Sequence, residues 1–195
     1  MLPNPAHSTS EQLAWVRWWA YPWKYSHADW RSDPVINALY RTKGLAAASI
    51  NGITPCLPPR PHSTVLQIAL ASTEHLNLML ALIHSVLNPA RAVQLSQSDY
   101  SWCMRLARTL FQGVRVPEDN PLRSVRSWVE PLTWQRLRLR FPCEQVWEIE
   151  EKAINAESRH SQLDTLCQAA VWRTIASDNA GPGQEAWRND SAVQA

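Results

Sequence analysis

The chain has 195 residues, of which 45% are hydrophobic and 18% charged, a balance typical of proteins that fold rather than stay disordered. A chain of this length forms one domain more readily than two. The formal net charge of +2 excludes the strong basic excess that drives non-specific binding to nucleic acid or to an anionic membrane.

The N-terminal residues predict a cytoplasmic protein whose first helix begins at residue 11. Met1 to Ser10 has no Lys or Arg ahead of an apolar stretch, which argues against a secretory signal. Ser10 is the predicted N-cap, Glu11 lies in the first turn, and Pro22 ends the helix. The apolar residues that recur at spacings of three and four, and so predict the buried face, are Leu13, Val16, Trp19 and Ala20.

The middle of the chain contains its most regular apolar stripe. Residues 34–50 have a broken helical pattern, and residues 51–61, NGITPCLPPRP, predict an extended loop between an N-terminal lobe at about 11–50 and a main body at 62–176. One continuous helix is expected from Ser63 to Leu87. Its apolar run is too short to cross a bilayer, so no direct membrane insertion is expected.

Proline and capping residues divide the rest of the body into five further helices. The first is capped by Ser98 or Asp99 and ended by Gly113. Residues Leu137–Phe141 alternate like a strand, but Trp134, Leu137 and Phe141 also fit a helix. We favour the helix because a single isolated strand is unstable. The other expected helices are Leu122–Glu130, a segment that opens at Glu144, and Ser161 to about Ala176.

These elements together predict an all-α fold, an irregular multi-helix bundle with proline-marked loops. The 14 Pro against 5 Gly favour short helices separated by turns. Residues 1–176 are expected to form a single helical domain. Residues 177–195 have little to bury and are expected to be a disordered tail.

The sequence contains none of the common motifs for nucleotide, ester or zinc chemistry. It has no G-x-S-x-G, no phosphate-binding glycine loop and no H-E-x-x-H. Its cysteines form no C-x-x-C pair, and the helical spacing of His75 and His84 places them on different faces. We therefore expect no enzyme activity, no catalytic residue, no cofactor and no metal site.

An aromatic and polar cluster follows the first helix. Tyr25, His27 and Asp29 could be drawn as an acid–base cluster with Ser26 as a nucleophile. The favoured interpretation is that Tyr25 and His27 dock this segment by burying their rings and hydrogen-bonding their polar tips. The sequence leaves open whether the segment docks on the protein's own core or on a partner.

Five arginines are concentrated between residues 123 and 140, with Trp128 and Trp134 among them. Three interpretations are open. The arginines form a solvated face whose charges pair with acids of the same protein, a surface for an acidic protein partner, or a nucleic-acid site in which the Trp rings stack on bases. The arginines are Arg123, Arg126, Arg136, Arg138 and Arg140, and the acids available for pairing are Glu144, Glu148, Glu150 and Glu151. The near-neutral net charge disfavours nucleic acid.

Three parts of the chain, the third made of two segments, form a pattern of order and spacing. Residues 22–27 read P-x-x-Y-x-H and are followed by the apolar Trp30, and a leucine-rich helix covers Leu76 to Leu95. Residues 134–142 read WQRLRLRFP, and residues 163–167 read LDTLC. This pattern resembles the SctK family of type III secretion sorting-platform subunits. The resemblance spans most of residues 11–176 but does not extend to the tail after Ser177.

The resemblance implies a non-enzymatic helical adaptor beneath the injectisome. Such an adaptor links the cytoplasmic domain of the inner-membrane ring protein SctD to the pod protein SctQ at the cytoplasmic face of the inner membrane. The residues hypothesised to bind these partners are Pro22, Tyr25, His27, Trp30, Arg136, Arg138 and Arg140. The alternatives are a helical nucleic-acid-binding protein that uses residues 123–140, or a small enzyme of unrecognised type.

Overall fold

All regular structure in the described part of the chain is helical. The computed structural model describes residues 8–31, 52–91, 94–111, 120–151 and 160–179. The α-helices in these ranges are α1 (Thr9–Ala20), α2 (Ser63–Leu70), α3 (Thr73–Leu87), α4 (Gln97–Leu110), α5 (Pro121–Trp128), α6 (Pro131–Leu137), α7 (Cys143–Glu150) and α8 (His160–Asn179). The all-α class expected from the sequence is confirmed. None of these helices has the length and apolar character needed to cross a membrane.

Helix α1 begins earlier than predicted. Its N-cap is Ser8, two residues before the predicted Ser10. The Ser8 hydroxyl accepts the backbone N–H of Glu11, and the Glu11 carboxylate accepts the backbone N–H of Ser8, both at 3.2 Å. This reciprocal capping box satisfies two backbone donors at the start of the helix. The helix ends at Ala20, immediately before Tyr21 and Pro22, as predicted.

The predicted buried face of α1 is right for Trp19 and wrong for Leu13, Val16 and Ala20. Leu13 and Val16 are 49% and 47% exposed, while Trp15, Trp18 and Trp19 are buried. Both sets fit helical spacing, because α1 has two apolar faces on opposite sides. Three indoles remove far more apolar surface from water than Leu13, Val16 and an alanine do, so the face with the indoles packs on the core.

The continuous helix predicted for Ser63 to Leu87 is two helices. Helix α2 ends at Leu70, Ala71 has an extended backbone with ψ of 155°, and α3 begins at Thr73. The Ser72 side chain caps α3 by accepting the backbone N–H of His75 at 3.2 Å. A serine can cap a helix or lie inside one, and the apolar stripe continues across the break, so periodicity alone does not reveal it.

The described helices share one hydrophobic cluster around α3. Helix α3 packs against α4 and α8, and α8 also contacts α2 and α5. Helix α1 lies on α2, and its tryptophans belong to the same cluster as the buried residues of α3 and α8. The described residues of the predicted N-terminal lobe are therefore integrated with the main body. The helical pattern proposed for residues 34–50 lies outside the described residues.

The proline-rich loop contains no helix between residues 52 and 62, as predicted. It opens at Gly52 with φ of +61°, a left-handed conformation that favours glycine, and Ile53 is buried. The indole N–H groups of Trp15 and Trp19 donate to the carbonyls of Pro59 and Cys56, each at 3.0 Å. These two bonds fasten the loop to α1.

The remaining helices agree with the sequence in type and differ at some boundaries. Helix α4 is capped by Ser96 rather than by Ser98 or Asp99, because the Ser96 hydroxyl accepts the Asp99 N–H and donates to the Asp99 carboxylate. Residues 134–140 are helical, as favoured: they are the end of α6 and a 3-10 helix over Arg138–Arg140, and Phe141 has an extended backbone before Pro142. Helix α8 continues three residues beyond the predicted end at Ala176. Gly113 and residues 180–195 lie outside the described residues.

Candidate functional site

The two most distinctive segments of the resemblance lie against each other. Residues 22–30 form two short 3-10 helices, and they contact the 3-10 helix Arg138–Arg140 that follows α6. The backbone N–H of His27 donates to the Leu139 carbonyl at 2.7 Å. We call this contact, between residues 22–30 and residues 136–141, the motif junction.

Two long side chains fasten the motif junction. The indole N–H of Trp30 donates to the Phe141 carbonyl at 2.8 Å inside the core. The Arg140 guanidinium donates to the carbonyls of Tyr25 and Ala71. Arg140 therefore joins the N-terminal segment to the break between α2 and α3, where Ala71 has left the helix and its carbonyl can accept this bond.

Three of the residues hypothesised to bind a partner are buried inside the protein. Pro22 is buried, Trp30 is 9% exposed, and Arg136 is 3% exposed. Their place in the core corrects the expectation that they contact SctD or SctQ directly. Trp30 and Arg136 turn inward because the core supplies backbone carbonyls that accept their N–H groups.

Arg136 joins three parts of the chain from inside the core. Its Nε donates to the Trp19 carbonyl at 3.2 Å, and its Nη1 donates to the Leu132 carbonyl at 2.9 Å. Its Nη2 donates to the Thr54 carbonyl at 3.0 Å and to the Cys56 sulfur at 3.6 Å. The guanidinium also lies 3.9 Å from the centroid of the Trp19 ring. Burial lowers the pKa of Arg136, because desolvation disfavours the charged form.

Arg138 is the arginine of this segment that forms an ion pair. Its Nη1 lies 2.8 Å from a carboxylate oxygen of Glu150 at the end of α7. The Glu150 carboxylate also accepts the indole N–H of Trp134 at 2.8 Å. Pairing with Glu150 is one of the intramolecular arrangements that the sequence left open.

Burial, and secondarily the nearby charge of Arg31, lowers the pKa of Arg140.

Tyr25 and His27 are half-buried at the edge of the motif junction. Tyr25 packs against the hydrophobic core, and His27 Nδ1 lies 3.2 Å from the Asp29 carboxylate. The Ser26 hydroxyl is buried and donates to the Trp23 carbonyl at 2.8 Å, so it is not directed at His27 as a nucleophile would be. These contacts favour docking of the segment on the protein's own core.

The rings that would stack on nucleic-acid bases are not on the surface. Trp128 is 3% exposed and donates to the Asp164 carboxylate at 3.0 Å, and Trp134 is 6% exposed. Stacking on bases requires an open ring face. The segment 123–140 therefore lacks the aromatic platform that the nucleic-acid alternative requires. In the part of the chain that the structure describes, no three His, Cys, Asp or Glu side chains are placed to hold a metal ion.

An open groove of about 370 Å³ lies between α1, α2, α3 and α8. Most of its lining is aliphatic, and the carboxylate of Glu11, one of its polar members, already accepts the backbone N–H of Ser8. A lining of this kind suits contact with apolar groups better than proton transfer.

Sequence reasoning missed the acceptors of the arginines. The carbonyls of Trp19, Thr54 and Ala71 are backbone atoms, and any residue type supplies them, so no motif could identify them. Glu150 was named among the acids available for pairing, but its spacing from Arg138 did not select it over its neighbours. Arg138 and Glu150 lie on different elements, so spacing along one helix gives no signal of their contact.

We expect the protein to lose stability at alkaline pH because two of its thiols are buried. All four cysteines are free, and burial raises the pKa of Cys103 to about 11 and raises the pKa of Cys167 further. An unfolded thiol has a pKa of about 8.5. The folded state therefore holds the thiol protons more tightly than the unfolded state does. The stability that this difference contributes is fully present below about pH 8.5 and is lost as the pH rises through about 11.

The measurement is the free energy of unfolding by urea between pH 7 and pH 11, for the natural protein and for Cys103→Ala. We expect the natural protein to lose stability above about pH 9 and the variant to lose less over the same interval. Equal pH dependence in the two proteins would show that the Cys103 thiol does not contribute.

Comparison with known proteins adds no assignment to this geometry. No protein-family model matches the chain, and neither the curated proteins nor the solved structures include a match. The resemblance to the SctK family therefore depends on the segments at 22–30, 76–95, 134–142 and 163–167.

Proposed function

We propose that this protein is a non-enzymatic adaptor of a type III secretion sorting platform, similar to SctK. In this role it links the cytoplasmic domain of the ring protein SctD to the pod protein SctQ, at the cytoplasmic face of the inner membrane. The observation that carries the proposal is the motif junction. Two segments that contribute to the resemblance lie more than a hundred residues apart in sequence and contact each other through His27 and Leu139.

The contacts of the motif junction suit a scaffold. Arg136 and Arg140 together donate to five backbone carbonyls, and Trp30 donates to a sixth. These bonds fix the direction in which α1 and the following segment leave the body. An adaptor needs such rigidity, because two partners keep a defined separation only if the protein between them does not bend.

The partner surfaces then lie around the motif junction rather than inside it. Tyr25 and His27 keep part of their side chains accessible, and Arg138 and Arg140 are partly exposed. These four residues remain the members of the hypothesised partner set with surface available for contact.

The test is co-purification of the full-length tagged protein with SctQ and, separately, with the cytoplasmic domain of SctD from the same genome. We expect both to be retained at physiological salt. The test variant is His27→Ala, which removes a partly exposed side chain of the hypothesised partner set and leaves the backbone bond to Leu139 in place, so it reports on the surface without opening the core.

Two outcomes would contradict the proposal. One is retention of neither partner by protein that circular dichroism shows to be helical and that melts cooperatively. The other is reproducible hydrolysis of a nucleotide or an ester that a single polar substitution abolishes.

A further inference from the structure

Helix α1 presents an apolar face to solvent opposite its tryptophans. Leu13 and Val16 are each about half exposed, and Ala20 is exposed one turn further along. Spacings of three and four place these residues side by side along one line of the helix. A helix that is apolar on both sides is typical of one with neighbours on both sides, and the described core covers only the tryptophan side of α1.

The charges on and near this face are all positive. Arg17 lies one turn from Leu13 on the same side of the helix, and Lys24 follows in the next 3-10 helix. Residues 12–28 contain no Asp or Glu. Within the described ranges neither cation is paired with a carboxylate, and the Lys24 ammonium lies 4.8 Å from the centroid of the exposed Tyr21 ring.

We propose that this face of α1, formed by Leu13, Val16, Arg17 and Ala20, docks an amphipathic acidic helix of a partner protein. The inference rests on the proposed adaptor function and names the kind of surface that the adaptor recognises. The apolar stripe of the partner helix covers Leu13, Val16 and Ala20, and an Asp or Glu beside that stripe pairs with Arg17. The line from Leu13 to Ala20 is about 10 Å long, or two helical turns, which matches one helix packed against another.

Charge selects an acidic partner over a second copy of this chain. A two-fold contact of α1 with itself places the same patch on both sides, so the Arg17 side chains of the two copies would come close together. Like charges brought together at an interface oppose association, and no acid between residues 12 and 28 is available to separate them. A carboxylate on another protein gives Arg17 the partner it lacks.

The experiment measures the affinity of the full-length protein for SctQ and for the cytoplasmic domain of SctD in separate titrations. The variants are Arg17→Glu and the double substitution Leu13→Ser with Val16→Ser. Their matched controls are Arg105→Glu, an exposed cation on α4, and Leu57→Ser, a leucine that is 90% exposed in the loop. Each variant is first checked for unchanged melting, since all of these side chains are at the surface.

We expect each α1 variant to weaken binding to one of the two partners by on the order of tenfold or more, while the controls bind as the natural protein does. Raising the salt concentration weakens the natural complex and has a smaller effect on the Arg17→Glu complex, because its charge attraction is already lost. An Asp→Lys or Glu→Lys change on the partner helix should restore binding to Arg17→Glu.

The outcomes separate this inference from the adaptor function itself. Failure of the natural protein to bind either partner rejects the adaptor function. Normal binding by both α1 variants keeps that function and rejects this docking face. A natural protein that sediments as a dimer, and becomes a monomer in the Leu13→Ser, Val16→Ser variant, assigns the face to a second copy and also rejects the proposal.

Discussion

Replacing Arg136 with alanine is expected to lower the free energy of unfolding by about 4 kcal/mol. The change removes four donated hydrogen bonds, leaves the buried Trp19 carbonyl without its donor, and opens a cavity beside the Trp19 ring. It also removes one of the two bonds that join Thr54 to α6, leaving the bond from the Thr54 backbone N–H to the Gln135 side chain. Unfolding in urea, followed by far-ultraviolet circular dichroism and by tryptophan fluorescence, measures the loss.

Two further variants of Arg136 separate its charge from its shape. Arg136→Met keeps a side chain of similar length against Trp19 and removes a buried charge whose desolvation is unfavourable, so it should cost about 1 to 2 kcal/mol. Arg136→Lys keeps the charge but loses the planar fork that reaches three carbonyls, and should cost more than methionine does. Equal stability of the alanine variant and the natural protein would show that Arg136 does not hold these segments together.

Replacing Trp18 with alanine is expected to lower the free energy of unfolding by about 3 to 5 kcal/mol. Trp18 is fully buried, and its ring centroid lies 5.2 Å from that of Trp15 and 6.1 Å from that of Trp19. Removing this ring leaves a large cavity on the face of α1 that joins the core. A melting curve of the variant, compared with the natural protein, measures the effect.

Phenylalanine substitutions give a matched pair within the same cluster. The Trp15 indole N–H donates to the Pro59 carbonyl, whereas the buried indole N–H of Trp18 has no acceptor among the described residues. Trp18→Phe therefore removes an unsatisfied donor, and Trp15→Phe removes a bond. We expect Trp15→Phe to be less stable than Trp18→Phe by about 1 kcal/mol. The opposite order would mean that the Trp18 N–H is satisfied in solution.

The two large predictions bear on the proposed docking face as well as on stability. Arg136 and the tryptophans hold opposite ends of the same contact between α1, the loop at 52–61 and α6. Substitutions there should change the orientation of Leu13 and Arg17 without touching them. Weakened partner binding in a stable Arg136→Met variant would fit this coupling, whereas surface variants such as Arg17→Glu act directly on the contact.

Local rules in the sequence determined most of the helices. Prolines and capping residues mark the ends of α1, α5 and α6. The apolar spacing of three and four predicted that Leu166, Cys167 and Ala170 of α8 and Leu76, Ile83 and Leu87 of α3 are buried, and all six are. It missed Met79 and Leu82, which are also buried. These signals succeed because capping and helical periodicity depend on residues within one or two turns of each other.

The tertiary structure alone decided which apolar face of α1 is buried. Leu13 and Val16 have the same spacing as the tryptophans, so periodicity supports both faces equally. The choice depends on how much area each face buries against α2 and the loop, and on acceptors such as the Pro59 carbonyl that the loop supplies. Both depend on contacts between residues far apart in sequence.

The tertiary structure also decided the direction of the arginine side chains at residues 136–140. The sequence identified Arg136, Arg138 and Arg140 as a group that matters, and predicted their helix. Their direction was decided by distant acceptors, namely the carbonyls of residues 19, 25, 54 and 71 and the carboxylate of Glu150. A guanidinium is stable in a core only where such acceptors converge, and convergence is a property of the folded chain rather than of any local segment.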